Sequence, residues 1–488
     1  MIILTLFERR KHPVSTRKNA MYNVAYRVFS VLLPLVTAPY LSRAVGTDGV
    51  GLYDYAWSIS YMFCLVGMLG LENYGTRAIA RAREDQAELN RTFSEIWRMQ
   101  LLVAGVMLLA YGGYMAFIAG EEQLIALHLT MMSVSCLVNV DWCLMGLDQF
   151  KPIALRNTAV KLLATAAVFL FVHSKADLWV YAFVWSLSTL LGCLSCWSRL
   201  KGKVQLVHVP FRQCLTHLAP CALLSISVIA VSVYRQMDKV MVGALAGMDE
   251  NGLYANAEKI IYCLSGFISA IGTVMLPKIS ALLRKGEIAR VKKHIELSME
   301  LILCMVCALA FGVAAVAENF APLFFGEAFT ASGPLMIPLA FTLVSIGFAN
   351  VIRTQWVLPN SRDKVLIFSV CTGAMINLIA NFLLIPPYGA MGAVAATLLA
   401  EFSVPVTQWI FVRRDLPYLT YFKQLAVYSA IGLIMLAAVR MVGTLLPFGG
   451  WPGLMLQTAT GVIVYGALCL VLWIIGKKSG ILRLLKRT

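Results

Sequence analysis

The chain has 488 residues, 59% hydrophobic and only 14% charged, with a mean hydropathy of +0.76. A soluble globular protein carries about a quarter charged residues, so a water-soluble enzyme is excluded and an integral membrane protein is expected. The net charge of +16 does not point to nucleic acid, because the basic residues recur in successive short loops instead of gathering on one surface among aromatics.

In chain order, the opening segment MIILTLFERRKHPVSTRKN has an apolar run too short, and charges in the wrong order, for a secretory signal. Residues 1–21 are therefore expected to form a cytoplasmic N-terminal segment. Apolar stretches long enough to cross the bilayer as helices follow at 22–45, 50–71, 99–119, 123–146, 159–173 and 178–198. A linker at 199–216 leads to further stretches at 217–245, 251–276, 297–317, 333–357, 364–385 and 389–412. A last pair at 424–446 and 453–475 precedes a cytoplasmic tail at 476–488. Pro34, Pro39, Pro220, Pro338 and Pro405 lie inside these stretches, where neighbouring helices can re-satisfy the carbonyls that a proline frees. Segments near 72–98 and 278–296 read as short amphipathic connectors with solvated charges.

Alternate loops differ in charge. One set, with both terminal segments, holds 33 of the 41 Lys and Arg, including Lys151, Arg156 and Lys161. The other holds few, Arg43 and Lys175 being the clearest, and carries Glu121, Glu122, Asp249, Glu250, Glu318 and Glu327. By the positive-inside rule the first set faces the cytoplasm, the number of spans is even and both termini are cytoplasmic. Affinity for membrane lipids with anionic headgroups follows from the same loops.

The chain also repeats itself. Gly46-Thr-Asp48-Gly-Val-Gly51-Leu52-Tyr53-Asp-Tyr-Ala56-Trp-Ser-Ile59 returns 201 residues later as Gly247-Met-Asp249-Glu-Asn-Gly252-Leu253-Tyr254-Ala-Asn-Ala257-Glu-Lys-Ile260. Seven of these fourteen positions are identical, and each copy lies between two apolar stretches. The expected architecture is all-α, with about fourteen transmembrane helices. Two parallel-repeat six-helix lobes, 22–198 and 217–412, are related by an axis along the membrane normal, and 413–475 adds two helices. Asp48 and Asp249 read as helix-start or turn residues.

This layout argues for transport over catalysis. The loops opposite the basic set are short, the longest being 318–332, and none has room for a domain that would hold a glycan acceptor. No Gly-x-x-x-x-Gly-Lys-Ser/Thr loop is present for ATP. The pairs Cys193/Cys196 and Cys304/Cys307 lie within apolar stretches without a partner at zinc-ligand spacing, so reduced thiols are expected and no metal or cofactor.

Ionisable residues at membrane depth face a partner or a wet cavity. Here they are Arg27 in the first stretch, Asp54 in the second and Asp141 in the fourth. The seventh carries Arg235, Asp238 and Lys239, the eighth Glu258 and Lys259, the tenth Arg353 and the twelfth Glu401. In one reading these are buried ties, Asp238 with Arg235 or Lys239 and Glu258 with Lys259. In the other, Arg27, Arg235, Lys239, Lys259 and Arg353 outnumber their intramembrane partners, and an unpaired cation in hydrocarbon costs about 2.5–3.5 kcal/mol. A wet cavity that receives an anionic substrate removes that cost. Arginine grips phosphate through paired hydrogen bonds and lysine acts as a point charge. Asp54, Asp141, Asp238, Glu258 and Glu401 are then candidates for ion coupling or for ion pairs lining the lumen. The 201-residue shift places Arg27 over Val228, Arg235 over Pro34 and Lys259 over Ser58, so the charges, unlike the loop, differ between halves.

The run Asn23-x-x-Tyr26-x-x-x-Ser30, then Leu33-Pro34-x-x-Thr37-x-Pro39-Tyr40-Leu41-Ser42-Arg43-x-x-Gly46, resembles the opening of bacterial Wzx-type polysaccharide-unit flippases. Gly51-Leu52-Tyr53 and Gly70-x-x-x-Tyr74-Gly75-x-Arg77 are similar too, and Asp238-Lys239…Gly243 with Gly252-Leu253-Tyr254 resembles the start of their second half. Those proteins belong to the multidrug/oligosaccharidyl-lipid/polysaccharide exporter superfamily. The resemblance implies an inner-membrane flippase for undecaprenyl-diphosphate-linked oligosaccharides that serves surface polysaccharide biosynthesis. It implies alternating access, H+ or Na+ as coupling ion, and a polysaccharide polymerase with its chain-length machinery as partners. A lipid II flippase and a cation-coupled multidrug exporter of the same superfamily are the alternatives.

Overall fold

In the computed structural model the chain is all-α. Residues 14–445 and 449–475 are described, with side chains from Leu33 onward except at 34, 226–228, 231, 233 and 475. No strand occurs among the described residues. The first helices are α1 (Val14–Met68), α2 (Leu71–Ala82), α3 (Gln86–Phe117), α4 (Gln123–Val138), α5 (Asp141–Gly146), α6 (Phe150–Phe171) and α7 (Leu178–Leu200). After a linker come α8 (Phe211–Leu215), α9 (Leu218–Ala246), α10 (Met248–Arg284), α11 (Ile288–Phe325), α12 (Ser332–Ala340) and α13 (Thr342–Ile352). A π-helical turn, Arg353–Val357, continues α13, and α14 (Asp363–Val412), α15 (Tyr418–Leu445) and α16 (Gly450–Ile475) complete the described chain.

Among the described residues, eleven helical paths are long and apolar enough to cross a membrane. Two of them turn back at a glycine: α1 at Gly46 (φ 72°, ψ −176°) and α14 at Gly389 (φ 55°, ψ −136°). With both halves of each, and with α9, the expected fourteen crossings are present. The fifth starts earlier than its hydropathy indicates. α6 begins at Phe150, so Arg156 and Lys161 belong to a helix and not to a loop.

The chain divides into two compact units, His12–Gly252 and the chain from Leu253 onward. In the first, one end of the bundle is held by a core of Leu71, Ile79, Phe93, Ile96, Trp142 and Cys214. Amphipathic α2 contributes Leu71 and Ile79 to it and lays Gly75 against the Trp142 ring, and Asp85 caps α3 by accepting from Ala87 N at 2.9 Å. Gln86, Asn90, Ser94 and Arg98 recur every fourth residue on α3, a step of about 6 Å. The linker after α7 runs along them at two residues per step, close to the spacing of an extended chain. Gln86 Nε2 donates to Lys203 O (2.8 Å), while Gln205 N donates to Asn90 Oδ1 (2.8 Å). Val207 N donates to Ser94 Oγ (2.9 Å), and Arg98 donates to the carbonyls of Val207 (3.3 Å) and Val209 (2.8 Å).

The repeated loop is explained in the same unit. Gly46 and Gly247, equivalent across the repeat, both take positive φ with extended ψ, a conformation essentially restricted to glycine. A Cβ on Gly51 would collide with the carbonyl of Met248, and one on Gly252 with the carbonyl of Thr47. Positions 47 and 248 are themselves equivalent, so the two loops pack reciprocally. Asn251 Nδ2 donates to Gly51 O at 2.7 Å, Thr47 bonds Asp249, and Asp48 pairs with Lys175. Both aspartates thus have structural partners.

The second unit is built on α11, whose Val291, Ile295, Met299, Ile302, Val306 and Ala310 are buried along one stripe. Gly347 brings α13 against Ile302 and Val306, and Gly432 seats α15 on the Phe311 ring.

Candidate functional site

α9 carries the largest group of candidate residues. Arg235 and Lys239 are both half-buried and stand four residues apart, on one face of the helix. Asp238 between them is almost fully buried. Ser58 Oγ on the second half of α1 donates to Gln236 Oε1 at 3.0 Å, and the Tyr55 ring lies so close to Gly243 that a Cβ there would clash. α9 is therefore fixed to α1 at two heights. Asp54, buried on the same half of α1, neighbours Tyr53, whose ring meets Tyr181 edge-on at 4.5 Å. Arg27 lies on α1, but its side chain is outside the described residues.

In the second unit, Lys259 Nζ donates to the buried Asn256 Oδ1 at 3.3 Å, with Glu258 half-buried beside it. Arg353 opens the π-helical turn, a device that concentrates at functional positions. Glu401 is buried on α14 and its backbone carbonyl accepts from Ser345. Arg235, Lys239, Lys259 and Arg353 each take part in a hydrogen bond or an electrostatic or ring interaction, as do Asp54, Asp238, Glu258 and Glu401. What distinguishes these cations is their position within the apolar spans and not a lack of partners.

Uncharged amides add to the polar interior of this unit, and the charge pattern gave no sign of them. Gln355, inside the π-turn, is fully buried, and neither end of its amide has a hydrogen-bond partner among the described residues. Asn377 Nδ2 and Gln408 Oε1 are in the same position, although Asn377 Oδ1 accepts from Asn381 Nδ2 at 3.1 Å. Buried polar groups of this kind take water or a polar ligand. A buried Asn or Gln inside an apolar run is the signal that would have found them.

Asp141 has a different setting. Span four is broken at Asn139-Val140, and α5 begins at Asp141. The Arg156 guanidinium takes both oxygens of the Asp141 carboxylate, at 2.9 and 2.8 Å, and also donates to Gly192 O at 3.1 Å. The two side chains are 13% and 18% exposed, so this is a largely buried fork-to-fork pair. The carbonyls freed by the break are also taken. Gln100 Nε2 donates to Cys136 O (2.6 Å) and Asn139 O (2.8 Å), Trp97 Nε1 to Leu137 O (3.3 Å) and Trp197 Nε1 to Val138 O (2.8 Å). Trp142 Nε1 closes the set on Gln100 Oε1 at 2.9 Å. Asp141 is tied to a structural arginine on α6 that by hydropathy alone reads as a loop residue.

Comparison with known proteins agrees with this architecture. Residues 16–283 match the family described as polysaccharide biosynthesis protein. A putative O-antigen transporter of Shigella dysenteriae is 24% identical over 389 residues, covering 79% of this chain and 97% of that protein. A putative O-antigen transporter of Escherichia coli (strain K12) is 22% identical over 411 residues, covering 82% and 98%. Among solved structures, the lipid II flippase MurJ in an inward closed conformation is similar with a TM-score of 0.74 at 16% identity, over 94% of this chain and 99% of that one. An inward-facing multidrug resistance MATE family transporter of the MOP superfamily follows with a TM-score of 0.59 at 13% identity, over 85% and 97%. At these identities the structures speak for the fold alone. The match to the family model spans more than half of the sequence, and the chain belongs to the polysaccharide biosynthesis protein family.

Proposed function

We propose that this multi-pass membrane protein is a flippase, not an enzyme, which moves undecaprenyl-diphosphate-linked oligosaccharide units from the cytoplasmic to the outer leaflet of a bacterial inner membrane. The observation that carries this reading is the likeness to two O-antigen transporters over 79% and 82% of the chain. Transport proceeds by alternating access, with both termini in the cytoplasm and an H+ or Na+ gradient as the driving force. In the first unit Arg235 and Lys239 on α9, with Arg27, are the cations offered to the diphosphate, and in the second unit Lys259 and Arg353 are the candidates. Half-buried cations at membrane depth suit a group that must be stripped of water before it crosses. The acidic residues Asp54, Asp238, Glu258 and Glu401 balance that charge or carry the coupling ion, and the exported unit passes to a polymerase.

Deletion of the gene in its own host should abolish one surface glycan and leave the lipid-linked precursor on the cytoplasmic leaflet. An unchanged glycan profile sinks the reading, and arrested peptidoglycan synthesis would point to lipid II instead. Restoring the gene with Arg235→Ala should leave glycan display at least about tenfold below wild type while the protein still reaches the membrane. Full display in that variant removes Arg235 from the site.

A further inference from the structure

Away from the intramembrane charges, three elements of the first unit meet at a histidine. His217 precedes α9. Its Nδ1 lies 2.6 Å from the Tyr74 hydroxyl of α2, and its Nε2 lies 2.9 Å from Glu95 Oε2 of α3. Glu95 Oε1 accepts from Arg91 Nε at 2.9 Å. The imidazole and the carboxylate are 14% and 11% exposed. The start of α9 also packs on the turn before α2, where a Cβ at Gly70 (φ 68°) would collide with Ser225. We propose that His217 is a proton-binding site that fastens the N-terminal end of α9 to α2 and α3, so that proton activity acts on the helix bearing Arg235 and Lys239.

The hydrogen-bond chemistry allows the ring to gain a proton without losing a partner. With Glu95 ionised, Nε2 carries a hydrogen and donates to the carboxylate. In the neutral ring, Nδ1 accepts from the Tyr74 hydroxyl. In the protonated ring, Nδ1 donates to the same oxygen, and the hydroxyl hydrogen turns to solvent, since Tyr74 is only half-buried. One bond reverses direction, and the Glu95 bond, already charge-assisted by the carboxylate, gains the attraction of a full cation for it. The other charged or titratable groups facing this cluster are Arg91 on α3, Arg81 and Cys221 beside Tyr74, and Arg98 beside Cys214. Arg91 binds the carboxylate oxygen that His217 leaves open, so the carboxylate stays ionised whether or not the ring is protonated. Docking of α9 is therefore tighter with the proton bound. The linker strapped along α3 ends at this latch, which places the latch where the second copy of the repeat begins.

For its consequence in transport this inference rests on the flippase reading; the proton site itself does not. The test is amide hydrogen exchange of residues 211–225 in the full-length protein in lipid nanodiscs, with no substrate. Wild type, His217→Gln and Glu95→Gln are compared at equal pH, so that the intrinsic pH dependence of exchange cancels. At about pH 5.5 both variants should exchange roughly fivefold faster than wild type, and at about pH 8 the ratio should fall to about twofold or less, because the neutral ring keeps its two hydrogen bonds but not its charge. A variant-to-wild-type ratio that is the same at both pH values overturns the proposal. That failure would leave surface glycan display, and with it the flippase reading, unaffected.

Discussion

Two of the described spans leave regular α-helix toward one end, and they solve the resulting problem in opposite ways. At the break in span four, four consecutive carbonyls lose their helical partners and each finds a side chain: Gln100 takes two, and Trp97 and Trp197 take one each. At the π-turn in span ten the irregular segment places Gln355 in the interior with both ends of its amide unclaimed by any described residue. In hydrocarbon an unsatisfied polar group costs several kcal/mol. The first irregularity is thus a closed structural joint. The second keeps polar capacity open beside Arg353, where a wet interior or a charged cargo can use it.

This contrast fixes what each substitution should do. The largest effect is expected at the joint's anchor. Arg156→Ala strands the Asp141 carboxylate among buried groups, and removing one partner of such a pair costs about 3–5 kcal/mol. The detergent-solubilised protein should lose its sharp thermal transition or melt far lower, as followed by tryptophan fluorescence. Pairing it with Asp141→Leu should recover most of the loss. If the single variant melts like wild type, the Arg156–Asp141 pair does not hold the joint. Next comes Gln100→Leu, which orphans the carbonyls of Cys136 and Asn139 and the indole of Trp142 at once. At about 1–3 kcal/mol for an unsatisfied group, tempered by local rearrangement within the membrane, a loss of about 2–4 kcal/mol is expected. A melting temperature within a degree or two of wild type would show that water already serves those carbonyls.

The same contrast marks how far the sequence could be read. Fourteen crossings and the repeated loop follow from apolar length and from glycines. Gly46 and Gly247 need a backbone conformation that other residues avoid, and Gly51 and Gly252 face a carbonyl where no Cβ fits. Such constraints leave a mark in one sequence. Side-chain partnerships across helices do not, because hydropathy records which residues are apolar and not which carbonyl an indole will reach. Arg156 reads as a loop residue because the apolar stretch of span five starts only at 159, although its partner Asp141 is fifteen residues away on another helix. The strap along α3 was equally hidden, since a polar stripe at every fourth residue reads as a solvated face until the linker is laid on it. The neutral amides of Gln355, Asn377 and Gln408 escaped because a search for charge passes over them.

The smallest stability effect, and the sharpest test of the comparison, belongs to Gln355→Leu. Replacing a buried amide that has no hydrogen-bond partner among the described residues with an apolar group of similar volume is expected to be close to neutral for folding, because no bond is lost and a desolvated group is removed. Thermal stability is expected to stay within about 1 kcal/mol of wild type. Glycan display, by contrast, should fall severalfold, since the polar lining beside Arg353 would be gone. Equal losses of stability and display would make Gln355 another structural joint, like the one in span four. Retained display with retained stability would make the π-turn an irregularity without a role in transport. Only the separation of the two readouts assigns the open amide to the transported substrate, and the intact joint at Arg156 provides the control against which that separation is measured.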